Sequence, residues 1–117
     1  MDELGEQLAG WGKVLRLETR GRSTGGSIEV AVGYVEEPDG SFLVAAGSPD
    51  TAWGRNLGAD PTCRLAIGDV LRSAVALPLD GADANRAVRE LILKYGTPAE
   101  RLGRGPVFRL RPVTIDG

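Results

Sequence analysis

Cys63-Arg64-Leu65-Ala66-Ile67-Gly68-Asp69-Val70-Leu71-Arg72-Ser73-Ala74-Val75-Ala76-Leu77-Pro78-Leu79 decides the architecture of this 117-residue chain. Cys63, Leu65 and Ile67 share one face of a first strand, with Arg64 and Ala66 on the other. In the second, Leu71, Ser73, Val75, Leu77 and Leu79 share a face. Such alternation is the signature of strands. Gly68-Asp69 leaves room only for a tight turn, so the two strands are antiparallel. A doubly wound parallel sheet is thereby excluded, because parallel neighbours need a long crossover between them.

Working outward, other strands follow the same pattern. From Lys13 to Arg20, Leu15, Leu17 and Thr19 face one way and Arg16, Glu18 and Arg20 the other. Ile28, Val30, Val32 and Tyr34 line a second strand, opposite Glu29, Ala31, Gly33 and Val35. Pro38-Asp39-Gly40 is a turn, proline presetting φ and glycine tolerating a positive one. It leads into the apolar strand Ser41 to Ala46, and these three strands read as an antiparallel meander. A last strand runs from Pro106 to Arg111.

Two helices interrupt the strands. Thr51 to Leu57 is short, opened by capping from Asp50 or Thr51 and closed at Asp60-Pro61. The better one carries Ala84, Ala87, Val88, Leu91, Ile92 and Tyr95 as an amphipathic stripe. Asp80 to Asp83 starts it, a Glu90–Lys94 pair supports it, and Gly96 with Pro98 ends it. Residues 1–11 read as a short N-terminal helix or arm, with Leu4, Leu8 and Trp11 at helical spacing. The expected fold is mainly β with α additions. It is a small closed or partly closed barrel of about six mostly antiparallel strands, in one domain over residues 1–117.

Composition narrows the chemistry. A net charge of -2 gives no reason to expect nucleic acid or an anionic membrane as partner. No apolar run approaches the ~20 residues of a membrane span, and the acidic start is unlike a signal peptide, so the cytoplasm is the expected location. Arginine far outnumbers lysine, as in GC-rich bacterial genomes. Cys63 is the only cysteine and there is no histidine. Intrachain disulfides, iron–sulfur clusters, and triads or metal sites built on histidine are excluded, and no metal is expected. Cys63 reads as a buried, inert thiol. Any enzyme here must take its chemistry from an organic cofactor.

Three pieces can supply a ligand site. Arg20, Arg22, Ser23, Thr24 and Gly25 form a glycine-containing loop whose guanidinium, hydroxyl and backbone N–H donors suit an anion. The small residues Ala46, Gly47 and Ser48 let a flat ligand approach the backbone. Trp53 and Asn56, three residues apart, share a helical face and offer an aromatic surface and an amide. Ser48 and Tyr95 are the candidate proton donors, Tyr95 also fitting the core stripe of its helix.

These motifs carry a resemblance. Thr19-x-Gly21-Arg22-Ser23-Thr24-Gly25, then Trp53-x-x-Asn56-Leu57 and Ala59-Asp60-Pro61, is similar to the deazaflavin-dependent nitroreductase family. The resemblance implies a split β-barrel and a hydride-carrying coenzyme, the deazaflavin F-420. It places Arg22, Ser23, Thr24 and Gly25 at the coenzyme's phosphate and tail. It sets Ala46, Gly47 and Ser48 along the ring, framed by Trp53 and Asn56. Ser23 stands where the family usually has lysine, Ile28 where an arginine is common, and Ala31 where a proline is. Past Tyr95 the chain has Pro98, Arg101 and Arg104 in place of the family's further tyrosines. The expected activity is hydride transfer between reduced F-420 and a small or lipophilic organic acceptor. Flavin mononucleotide in the same barrel is the alternative cofactor, and a non-catalytic carrier of a fatty acid or other apolar molecule is the alternative function. Split barrels often pair through open sheets, which makes a homodimer the expected assembly.

Overall fold

The computed structural model describes residues 14–21, 26–95 and 104–113. The expected N-terminal helix lies outside them. Seven strands and two helices are described: β1 (Leu15–Arg20), β2 (Ser27–Val32), β3 (Val35–Glu36), β4 (Phe42–Ala45), α1 (Ala52–Ala59), β5 (Thr62–Ile67), β6 (Val70–Leu79), α2 (Gly81–Tyr95) and β7 (Val107–Pro112). All pairings are antiparallel, in the order β2-β1-β5-β6-β7-β4-β3. The β5–β6 hairpin has the expected register, Ile67 opposite Val70, with Gly68 at φ +56° in its turn.

The expected meander is not formed. β2 pairs with β1, whereas β4 pairs with β3 and β7. β2 and β3 therefore stand at opposite ends of the strand order, yet only Gly33 and Tyr34 separate them in sequence. Three Cα–Cα steps reach no more than about 11 Å, so the sheet has to curl until its two edges meet. The barrel is crossed at this seam by the chain itself rather than by a ladder of hydrogen bonds. This is a split β-barrel with α additions.

The seam is held from α2. Tyr95 Oη accepts the Tyr34 N–H at 3.0 Å and donates to the Tyr34 carbonyl at 3.2 Å. Lys94 was expected to pair with Glu90, but its Nζ donates to that same carbonyl at 2.6 Å and lies 3.7 Å from the Tyr34 ring centroid. Gly33 eases the close approach, since a Cβ there would fall 3.0 Å from the Tyr95 ring and the ring would have to shift by a few tenths of an ångström. Beyond the seam, Arg109 donates to the Ser41 hydroxyl, which donates to Asp39 Oδ1 at 2.6 Å. Hydrogen bonds from the Ser41 hydroxyl and N–H hold the Asp39 carboxyl below its ordinary range.

Leu15 and Leu17 of β1, Leu65 of β5, Phe42 and Val44 of β4, and Phe108 and Leu110 of β7 fill the barrel. α1 closes one end with Trp53 and Leu57. A second cluster lies outside the sheet, where Leu43, Ala45 and Val107 meet Ala87 and Leu91 of α2. The face of β6 carrying Leu71 to Leu79 is not the core face. Ala74 and Ala76 point inward, opposite Cys63 and Leu110, while Leu71 is 58% exposed. Larger side chains already occupy the interior of a small barrel, and small residues complete the packing.

Candidate functional site

The site is built where β1 ends and α1 hands over to β5. Asp60, which precedes Pro61, is extended (φ -141°, ψ 106°) and ends the helix as pre-proline geometry demands. Its N–H bonds to the Asn56 carbonyl at 2.8 Å. Its carboxylate accepts the Thr62 hydroxyl at 2.6 Å and the Thr62 N–H at 3.0 Å. Those two bonds, then the nearby Arg20, hold the Asp60 carboxyl below its ordinary range. Arg20 Nε lies 3.9 Å from Asp60 Oδ2. On the inner side, Asn56 Nδ2 donates to Thr19 Oγ1 at 3.0 Å.

A groove of about 470 Å³ opens beside this junction, lined by Arg20, Ser27, Thr62, Arg64 and Ser73 over a floor that includes Ala74 and Val75. Its volume is that of a small-molecule site. Two guanidinium groups and the Ser27 and Ser73 hydroxyls form a donor set suited to phosphate or carboxylate oxygens, the Thr62 hydroxyl being committed to Asp60. Glu18 partly offsets Arg64, with 3.9 Å between Oε1 and Nη1. Immediately above, the Gly21 N–H donates to the Gly26 carbonyl and closes the base of the loop.

Of the residues expected at the site, Arg20 is exposed at this groove. Arg22, Ser23, Thr24 and Gly25 lie outside the described residues. Ala46 is buried, with its N–H on the Pro106 carbonyl at 2.9 Å. The close approach that Ala46, Gly47 and Ser48 permit is taken by the chain itself, since a Cβ on Gly105 would fall 2.6 Å from the Ser48 carbonyl oxygen. The Ser48 hydroxyl accepts the Asp50 N–H at 3.1 Å, and the Ser48 carbonyl accepts the Thr51 N–H at 3.2 Å. Ser48 thus organises the entry to α1. Thr51 is the N-cap but makes no side-chain cap bond.

Trp53 is buried in the barrel, its ring 6.3 Å from Phe108. Asn56 is buried against Thr19, and Tyr95 is engaged at the seam. Cys63 packs inside beside Ala74, and burial pushes its thiol up to about 11. An inert thiol is the outcome.

Thr62, Arg64, Ser27 and Ser73 are not singled out by the sequence, and Thr19 enters there only as the first residue of a motif, without a role at the site. Alternation in Cys63-Arg64-Leu65 does turn Arg64 outward, but only the β1–β5 and β5–β6 pairings bring it beside Glu18 and Ser73.

Fold and junction together define a split-barrel protein with an anion-suited groove at the end of its first strand. The chain belongs to the family described as F420H(2)-dependent quinone reductase, whose model matches residues 2–105. It is 25% identical to a structure described as an F420-H2 dependent reductase (FDR-A), covering 85% of this chain and 94% of that one, with a TM-score of 0.72. HutZ, the heme storage protein of Vibrio cholerae, shares the fold at 19% identity, covering 97% and 91%, with a TM-score of 0.74. A chain described as a domain-swapped dimer shares it at 23% identity, covering 93% and 95%, with a TM-score of 0.71. No curated protein matches the chain in sequence. None of these descriptions names flavin mononucleotide. Among the described residues no helix is long and apolar enough to cross a membrane.

Proposed function

We propose that this protein is a reductase that binds reduced coenzyme F-420 and delivers its hydride to a small or lipophilic organic acceptor. Family membership supports the coenzyme. The observation that carries the site is the groove at the loop base, with Arg20 and Arg64 at its wall. Its donor set fits the phosphate and carboxylate oxygens of the coenzyme's tail. When bound, the coenzyme supplies the hydride, and the protein contributes binding and orientation.

In this reading Arg20, Arg22, Ser23, Thr24 and Gly25 grip the phosphate end. Gly47 and Ser48, both half-buried, lie along the ring. Ala46 and Trp53 support that region from within the core, while Asn56, bonded to Thr19, supports the end of β1. The fold shared with HutZ does not bring imidazole ligation of heme with it, because the chain has no histidine.

A titration with reduced and oxidised F-420, run beside flavin mononucleotide, tests the proposal. Coenzyme absorbance and fluorescence should change on binding to the wild type. Arg20→Ala and Arg22→Ala should each weaken binding about tenfold or more, since each removes a charge-assisted bond worth roughly 1.5–3 kcal/mol. No optical change with either deazaflavin form, or wild-type affinity in Arg22→Ala, would sink the reading. An endogenous lipid seen by native mass spectrometry, without cofactor affinity, would favour the carrier.

A cytoplasmic homodimer is the proposed assembly, supported by the domain-swapped dimer of the same fold and by exposed Val70, Leu71 and Val113. Sedimentation at micromolar concentration should give twice the chain mass of 12.3 kDa, and a single species at chain mass would refute it.

A further inference from the structure

Two consecutive residues at the end of β1 are held from opposite faces by one short piece of chain. Thr19 points inward and Arg20 outward, as the pleat of a strand requires. Inside, Asn56 donates to the Thr19 hydroxyl, and each residue is 1% exposed. Outside, Asp60, one helical turn beyond Asn56, faces Arg20 at 3.9 Å. The outer contact is solvated and weak. The inner one is shielded from water and has a fixed anchor, because Trp53 and Leu57 pin α1 in the barrel core. Arg20 and Gly21 follow Thr19 directly, and Gly21 makes the bond that closes the loop base.

We propose that Asn56, acting through Thr19, is a positioning residue. It holds the end of β1 so that Arg20 and the Gly21–Gly26 loop base face the groove that takes the anionic end of the coenzyme. The inference rests on the coenzyme reading given above. In this role Asn56 touches no part of the coenzyme.

The test replaces both partners. Thr19→Val combined with Asn56→Leu removes the bond from both ends, and Thr19→Val alone removes it while leaving the rest of the Asn56 amide in place. Two ligands are compared: reduced F-420, and the same deazaflavin ring with its ribityl chain but no phosphate. The double variant should lose about tenfold or more in affinity for F-420 and stay within about twofold for the phosphate-free ligand. Thr19→Ser, which keeps the hydroxyl, should bind F-420 like the wild type. In ligand-free protein, hydrogen exchange at the Gly21 amide should quicken about tenfold or more in the double variant.

Wild-type F-420 affinity in a folded double variant would overturn the proposal, as would equal losses for the two ligands. Should the double variant not fold, Thr19→Ser against Thr19→Val makes the same comparison. If the wild type binds neither ligand, the coenzyme reading falls on its own. Exchange at Gly21 then decides the positioning role: faster exchange supports it, and unchanged exchange rejects it.

Discussion

Trp53→Ala should destabilise the protein by about 3–5 kcal/mol, the usual cost of truncating a buried aromatic. Trp53 is 7% exposed and belongs to the barrel core with Leu57, Phe108 and Leu15. Its removal forfeits the transfer energy of an indole and leaves a cavity that α1 cannot collapse to fill. Gly54 already sits against Pro106, where even a Cβ would come within 2.9 Å of the proline ring. Against a total stability of roughly 5–15 kcal/mol for a domain, the loss is large. Thermal unfolding should move down by on the order of 10–20 °C, with Trp53→Phe falling between. Denaturant titration of all three proteins checks this. A stability loss under about 1 kcal/mol, together with abolished coenzyme binding, would make Trp53 a ligand contact rather than a core residue.

Gly105→Ala should cost about 1–3 kcal/mol or more by overpacking. The new Cβ would lie 2.6 Å from Ser48 O, 2.7 Å from Ser48 C and 2.8 Å from Ala46 O. All three are backbone atoms, so no rotamer change relieves the contact. The segment entering β7 would have to separate from the β4–α1 connection, breaking the bond between Ala46 N–H and the Pro106 carbonyl. Because that connection organises the start of α1 through Ser48, the variant should also weaken the proposed ring region. Equilibrium unfolding is the direct measurement, and a change within about 0.5 kcal/mol of wild type would show that the two segments part freely.

Much of the local structure was legible in the sequence. The β5–β6 hairpin, the stripe of α2, the stop at Asp60-Pro61 and the burial of Cys63 all follow from short-range pattern. What escaped is long-range. β2 looked like a neighbour of β4 because a turn signal at Pro38-Asp39-Gly40 was the only marked break nearby. The real break is Gly33-Tyr34, and its stability comes from Tyr95 and Lys94, about sixty residues away in the chain. The inward face of β6 was equally hidden, since Leu71 to Leu79 is the more apolar set and yet Ala74 and Ala76 fit the crowded interior.

The candidate site divides in the same way. Arg20 and the loop after it were visible as an anion-suited pattern, and Trp53 with Asn56 as a shared helical face. The groove itself was not, because Arg64, Thr62 and Ser73 reach Arg20 only through the pairing of β1, β5 and β6.

By itself, the sequence determined an antiparallel, mainly β domain, a chemistry without histidine or disulfides, and motifs that resemble a deazaflavin-dependent family. Period and turn chemistry act over a few residues, and these properties need nothing longer. The tertiary structure alone decided where the barrel closes, which face of β6 is inside, and that Asn56 bonds Thr19. From the sequence the Asn56 amide is offered to a ligand, whereas the fold gives it the Thr19 hydroxyl, 37 residues away, as a buried partner. Strand partners and buried polar pairs are set by which surfaces exclude water together, and a local pattern does not record that choice.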